Sequence, residues 1–347
     1  MSDKDKKMRS LYGFLPKDIA LLLPQEKPFR GRQIFTWVQK GIDSFDSMVN
    51  IPKYMRQYLQ EAGCSLFCSH VIDQQIDHDG TAKLGIQLQD GAVIECVLLT
   101  DEHGRKTACL SSQVGCAMGC AFCRTGLMGL TRNLSAAEIV EQFHHLQDLF
   151  GTISHIVYMG MGEPFANLDA VRTSIQILNH ELGVNVGLRK ITISTCGIAD
   201  GIYQLAENGP HVKLAVSLVA ADNELRRTLM PITNAYPIET LYDAMKAYQQ
   251  ATGRRITLEY VLLGGINDTR KAAHQLISYT RGINVIINLI PWNPGAELDF
   301  TAPSGDAVKR FSEYLTEAGV HVTRRYRRGR GVNGACGQLA VKYQQTL

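Results

Sequence analysis

The apolar positions fall into different rhythms along the chain. Through residues 1 to about 63 they recur at helical spacing in "LPKDIALLLP", "GRQIFTWVQKG" and "IPKYMRQYLQEAG", each run closed by Pro or Gly. From about 64 to 107 they alternate, and "TAKLGIQLQDGAVIECVLL" predicts a hairpin turning near Asp90 and Gly91. From about 108 onward short β-branched runs take turns with amphipathic helical runs. The predicted strands are "HIVYMG", "KITISTCG", "VKLAVSLVA", "RITLEYVLLGG", "VIINLIPWN" and "VHVTRRY". The predicted helices include "SAAEIVEQFHHLQDLF", "LDAVRTSIQILNHEL", "IETLYDAMKAYQQAT" and "SGDAVKRFSEYLTEAG". The first and last of these follow a Ser, a residue that caps first-turn N–H groups. Such alternation predicts an α/β fold with a parallel sheet, open or curled into a barrel, and chemistry at the carboxyl ends of its strands. Several strands end in polar or Gly-containing motifs, "GMGEP", "STCG", "SLVA" and "WNPG". No internal repeat or low-complexity segment interrupts the pattern.

Composition narrows the class. Of 347 residues, 45% are apolar and 20% charged, as in an ordinary globular protein. The net charge of +3 neither demands nor excludes a nucleic-acid partner. No apolar run reaches the roughly 18 residues of a membrane span. The lysine-rich start is followed by no signal-like apolar stretch, so the cytoplasm is the expected compartment. Nine cysteines in a reducing compartment point to metal binding or thiol chemistry, not a disulfide framework.

"VGCAMGCAFCRTG" sets Cys116, Cys120 and Cys123 at C-x3-C-x2-C spacing. Random placement of nine cysteines would give about 0.006 such triplets, so chance does not account for it. Three thiolates on one loop can hold three irons of a 4Fe–4S cluster and leave the fourth open. The competing reading is a structural zinc site with Cys109 as fourth ligand.

C-x3-C-x2-C is the signature of radical S-adenosylmethionine (SAM) enzymes, and "CLSSQVGCAMGCAFCRTGLMGLTRNLSAAEIVEQ" resembles the RlmN/Cfr family of RNA adenosine methyltransferases. "KPFRGRQIFTWVQKGIDSFDSM", "YMGMGEPFANLDAV", "ITISTCG", "LAVSLVAADNELRRTLMPI", "EYVLLGGIND", "NLIPWNPG" and "GACGQL" continue the similarity in order, over nearly the whole chain. The resemblance implies a partial (β/α)6 radical SAM barrel, residues 96–347, behind a small N-terminal α+β accessory domain, residues 1–95, that contacts RNA.

It also implies a chemistry. Adenine C2 or C8 is not nucleophilic, so direct transfer from the SAM sulfonium is closed. One SAM would methylate Cys336. A second, bound to the cluster, would yield a 5′-deoxyadenosyl radical that takes a hydrogen from the Cys336 methyl group. The carbon radical adds to the ring, Cys109 takes the ring proton and attacks Cys336, and a Cys109–Cys336 disulfide remains for a reductant such as flavodoxin or ferredoxin to reset. Glu95 in "VIECV" matches the proton-acceptor position of the family. SAM contacts are expected from Gly162, Glu163, Ser194, Ser217, Leu218, Val219 and Asn293. Val219 stands where the family has His, so only a backbone contact is expected there. Cys64, Cys68, Cys96 and Cys196 match no functional position and read as packing residues.

"TRRYRRGRG" packs Arg324, Arg325, Arg327, Arg328 and Arg330 into seven positions beside the Cys336 loop, well placed for phosphates, and Arg30 and Arg32 add candidate RNA contacts. The expected activity is C2 methylation of an adenosine in 23S rRNA, and also in tRNA, by a monomer. The alternatives are C8 methylation, a relative with another RNA target, or a non-enzymatic, metal-stabilised RNA-binding protein.

Overall fold

The computed structural model describes residues 8–293, 298–324, 331–332, 334 and 336–339. The chain opens with β1 (Arg9–Ser10), α1 (Pro16–Leu21), α2 (Phe29–Gln39), α3 (Lys53–Glu61) and β2 (Cys64–Ser65), which pairs with β1. β3 (His70–Ile76), β4 (Ala82–Gln87), β5 (Val93–Thr100) and β6 (Lys106–Cys109) form an antiparallel meander. β7 (Gln113–Cys116), α4 (Arg124–Leu127) and β8 (Gly129–Asn133) follow, with β7 and β8 paired apart from the main sheet. The rest alternates: α5 (Ala136–Phe150), β9 (His155–Tyr158), α6 (Leu168–Asn179), β10 (Ile191–Thr195), α7 (Ala199–Asn208), β11 (Lys213–Ser217), α8 (Asn223–Leu229), α9 (Ile238–Thr252), β12 (Ile256–Leu262), α10 (Arg270–Tyr279), β13 (Val285–Pro291), α11 (Gly305–Glu317) and β14 (Val322–Arg324).

Ten strands form one sheet in simple sequence order, from β3 through β6 and then β9 through β14. All pairings from β6 onward are parallel. β6 and β9 to β13 each lead into a helix, which meets the six-unit expectation, and β14 adds a seventh parallel strand. β3 and β14 are edges that do not pair with each other, so the barrel is open. The predicted hairpin is β4–β5, turning at Asp90 and Gly91 as expected, with Gly91 at φ 84°.

Local chemistry explains the main elements. α5 starts in a capping box, Ser135 accepting from the Glu138 N–H while the Glu138 carboxylate accepts from the Ser135 N–H. Ser304 caps α11 in the same way from one side. Side chains alternate along the parallel strands: Tyr158 reaches out to Ser174 of α6 through a 2.7 Å hydroxyl contact, whereas Val157, in register with Cys109 and Thr192, faces inward. One hydrophobic core runs from Leu11 to Leu339 and joins the amino-terminal helices to the sheet. β5 spans residues 93–100 and is hydrogen-bonded on both sides, so a line drawn between 95 and 96 passes through a strand of that shared sheet. Among the described residues no helix is long and apolar enough to cross a membrane.

A buried polar knot ties α5 to the amino-terminal segment. The Cys68 N–H donates to Glu141 Oε1 at 2.9 Å, the Ser69 hydroxyl bonds the other Glu141 oxygen, and Ser69 Oγ lies 3.0 Å from His145 Nε2. Burial, helped by the His145 charge, pushes His144 down to about 3. Burial, helped by His70, pushes His145 down to about 4. Both imidazoles are neutral in the fold near neutral pH and gain protons on unfolding, where they titrate near 6.5. Their contribution is therefore complete above about pH 6.5 and is lost as pH falls toward about 4. Glu141, raised by burial, opposes this by at most one proton. The urea midpoint is expected to drop between pH 7 and pH 5, and His145→Gln to flatten that drop.

Candidate active site

The carboxyl ends of β9 to β13 open onto a cavity that also takes in the loop after β7. Cys116, Cys120, Cys123, Gly162, Glu163, Ser194, Ser217, Asn293 and Cys336 all line it, residues spread over more than 200 positions of sequence. Leu218, Val219, Cys109 and Glu95 do not appear on its wall.

The wall is assembled by backbone bonds. The strap after β9 is fused to the segment leading into the cysteine loop: Gly160 N donates to Leu110 O (3.0 Å), Ser112 N to Met161 O (2.8 Å) and Glu163 N to Gln113 Oε1 (2.8 Å). Gly162 has φ 97°, and a Cβ there would sit 2.5 Å from Gln113 Cβ. No L side chain fits that conformation or that space. Gly162→Ala is expected to cost more than about 1 kcal/mol of stability and to weaken SAM binding, read by denaturation and by calorimetric titration. The Glu163 carboxylate bridges strand ends, accepting from Phe165 N (3.0 Å) and Cys196 N (2.7 Å). Val219, just past β11, is buried at φ 60°, a strained value for a β-branched residue. Its carbonyl accepts from Asn267 Nδ2 at 2.8 Å.

Three thiols share this wall without a disulfide; none of the nine cysteines is bridged. Burial pushes Cys116 up to about 11 and raises Cys120 and Cys123 as well. Opposing this, backbone N–H groups of Gly126 and Thr125 reach the Cys123 sulfur, and that of Met118 reaches Cys116. Thiols set among N–H donors suit a cationic iron–sulfur core, which holds them as thiolates. Asn293 Oδ1, buried on the same wall, has no partner among the described residues and is available to a bound cofactor. Among the described residues no three His, Cys, Asp or Glu side chains converge on a single-ion site. A cube needs no such convergence, because each thiolate takes a different iron. The zinc reading needs Cys109 beside the triplet, and Cys109 lies on β6, off this cavity.

The segment carrying Cys336 is held at both ends. Gly331 N donates to Asp77 Oδ2 (2.9 Å) at the β3–β4 turn. Arg124 N donates to Gly337 O (2.9 Å), and Thr125 Oγ1 to Leu339 O (2.7 Å), immediately after Cys123. Between these ties, a Cβ on Gly334 would lie 3.6 Å from Val97 Cγ1 and 3.7 Å from Thr81 Cγ2. Val97 is in register with Cys109 on one side and Lys83 on the other, and Glu95 is two residues away. All four therefore share one sheet face, and the Cys336 segment crosses it. Glu95 is not a solvated strand residue: it is 2% exposed, and its Oε1 lies 2.9 Å from Lys83 Nζ.

The sequence pattern did not single out Glu259. It lines the cavity from β12, in register with Ser217 and Asn288. Asn288 Nδ2 donates to Glu259 Oε2 (2.7 Å) and Thr323 Oγ1 to Asn288 Oδ1 (3.1 Å), a polar row across the inner face from Ser217 to β14. The signal was present: one acid at an inward position of "ITLEYVL".

The candidate RNA contacts are less assembled. Arg30 stacks on Phe29 at 4.9 Å and bonds Gln33 and Asn50. Arg32 is exposed, 4.0 Å from Glu181. Arg324 ends β14 and is exposed. Arg325, Arg327, Arg328 and Arg330 lie outside the described residues.

Comparison with known proteins agrees with this geometry. Residues 110–277 match the Radical SAM superfamily, and residues 21–64 the ribosomal RNA large subunit methyltransferase N-terminal domain. A "probable dual-specificity RNA methyltransferase RlmN" of Treponema pallidum is 46% identical over 330 residues, covering 95% of this chain and 97% of its own. A protein of the same name from Lysinibacillus sphaericus is 41% identical over 98% of this chain and 91% of its own. The crystal structure of a radical SAM methyltransferase from Sphaerobacter thermophilus superposes with a TM-score of 0.90 at 40% identity, covering 95% of this chain and 98% of that one. The cofactors are accordingly a 4Fe–4S cluster and SAM. The chain belongs to the RlmN family and is a radical SAM enzyme that methylates RNA.

Proposed function

We propose that the enzyme methylates C2 of an adenosine in 23S rRNA, and also in tRNA, with Cys336 as methyl carrier. Cys116, Cys120 and Cys123 would hold the cluster. Gly162, Glu163, Ser194, Ser217 and Asn293 would hold SAM, whereas Leu218 and Val219, off that wall, would only shape the strand end that carries Ser217. When bound, cluster and SAM supply the methyl group and the one-electron chemistry that generates a 5′-deoxyadenosyl radical, with two SAM molecules used per turnover. Cys336 accepts a methyl group on sulfur and presents it to the base. Cys109, on the face that the Cys336 segment crosses, would take the proton from the ring carbon as the adduct's unpaired electron is returned to the bound cofactor, and would then attack Cys336 sulfur as a thiolate; the S–CH2 bond breaks, the leaving carbon takes a proton to become the methyl group, and a disulfide remains. Glu95 lies on that same face and serves as proton acceptor for Cys109. A flavodoxin or ferredoxin supplies electrons. The protein works as a monomer in the cytoplasm. Residues 1–95, with Arg30 and Arg32, act as the RNA-contacting part, residues 96–347 as the catalytic part, and the arginine run from Arg324 to Arg330 grips phosphates.

One observation carries the proposal: Cys336 opens onto the same cavity as the cysteine triplet, and its segment is hydrogen-bonded to the residues directly after Cys123. The test is anaerobic reconstitution followed by reduction with SAM and RNA from cells lacking the gene. Formation of 5′-deoxyadenosine together with 2-methyladenosine, identified by mass spectrometry, is the expected result. 8-Methyladenosine would move the target to C8, and an iron-free protein would overturn the proposal.

A further inference from the structure

Arg226, on α8, is 0% exposed. Its guanidinium makes four hydrogen bonds, none to a carboxylate: to Leu218 O (3.0 Å), Thr233 Oγ1 (2.8 Å), Cys196 O (2.6 Å) and Ser217 O (3.3 Å). Three of these acceptors are carbonyls at or just past the carboxyl ends of β10 and β11, beside Ser194 and Ser217. The same helix passes its Leu229 carbonyl to Ala121 N at 2.9 Å, inside the cysteine loop. Arg226 thus links the strand ends to the loop that carries Cys120.

Its charge is harder to account for. Among the described residues no Asp or Glu forms an ion pair with it, and burial lowers the pKa of its guanidinium, with Cys196, Tyr279 and Cys120 the neighbours that oppose this. Carbonyl dipoles relieve part of the cost of burying a guanidinium, but a buried charge without a counter-ion remains expensive. Three thiolates around an iron–sulfur core make a net anion, and an added electron makes it more so. Net charge around a cluster is one of the factors that sets its potential.

We propose that Arg226 is the buried counter-charge of the cluster. It clamps the ends of β10 and β11 and raises the cluster's reduction potential. Arg226 is a positioning residue, and its role rests on Cys116, Cys120 and Cys123 being the ligands.

The test compares wild type with Arg226→Lys, Arg226→Gln and Arg226→Met, each reconstituted anaerobically. Three quantities are read: iron per chain, the midpoint potential from an EPR-monitored titration, and the melting temperature. Both neutral variants are expected to favour the oxidised cluster about tenfold more at a fixed potential, about 59 mV more negative for one electron. Arg226→Lys keeps the charge but loses the four-way clamp, so it should melt lower while its potential stays at the wild-type value. Neutral variants with an unchanged potential would overturn the proposal, as would Arg226→Lys shifting as far as they do. Should neither neutral variant fold, the potential of Arg226→Lys decides alone. Cys120→Ala retaining full iron would instead sink the ligand assignment and leave the electrostatic question to whichever thiols replaced it.

Discussion

Cys336→Ala should abolish RNA methylation while leaving iron content and reductive cleavage of SAM close to wild type. The ties of this segment to Asp77, Arg124 and Thr125 are made by backbone atoms of Gly331, Gly337 and Leu339. Cys336 is only partly buried, so removing its sulfur opens no core cavity. The loss should therefore be chemical, not structural. Removing the group that forms a covalent intermediate costs about 10⁴-fold or more. Methylation within tenfold of wild type would sink the carrier role. The companion variant Cys109→Ala should stop one step later, accumulating a protein–RNA adduct that shifts on a denaturing gel and collapses with ribonuclease. Active SAM cleavage without any adduct would refute the resolving role of Cys109.

Lys83→Met should destabilise the enzyme by about 3–5 kcal/mol, the usual cost of removing one partner of a buried ion pair. The side chains of Lys83 and Glu95 are 6% and 3% exposed, with 2.9 Å between Nζ and Oε1. Methionine fills the space but leaves the carboxylate in the core without that cation. The pair also lies on the face crossed by the Cys336 segment, so methyl transfer should fall along with stability. The double variant Lys83→Met, Glu95→Leu removes both charges and should recover most of the stability without recovering the activity. A denaturant series giving less than about 1 kcal/mol for the single variant would show that Glu95 does not depend on Lys83.

Much of this could be read from residues alone, and the part that could not has physical causes. The cysteine triplet is legible because its spacing is local, and the strand ends because Gly, Ser and Asn interrupt β-branched runs. Short strands leave little trace: β6 is four residues, "KTAC", and β3, "HVIDQQI", has no apolar face to register as a period. α7 and α10 are faint in the sequence, since "ADGIYQLAEN" contains Gly and "RKAAHQLISY" has a thin apolar stripe. The shared face of Cys109, Glu95 and Lys83 follows from strand register, and local patterning does not reveal register. Arg226 sits in "NELRRTL", which looks like an ordinary charged helix face. Only the folded chain brings it to the carbonyls of Cys196, Ser217 and Leu218 and turns it inward. The positive φ of Val219 leaves no mark in the sequence at all.

The order of the main sheet has a consequence for how the polypeptide is made. Each strand joins the edge left by its predecessor, so the sheet can grow strand by strand as the nascent chain leaves the ribosome, with few long loops to close. Gly331 and Leu339 come after every strand of that sheet and return to Asp77 and to α4. The cradle of Cys116, Cys120 and Cys123 is therefore shaped before the segment that crosses it has been made, and that segment docks onto a finished wall.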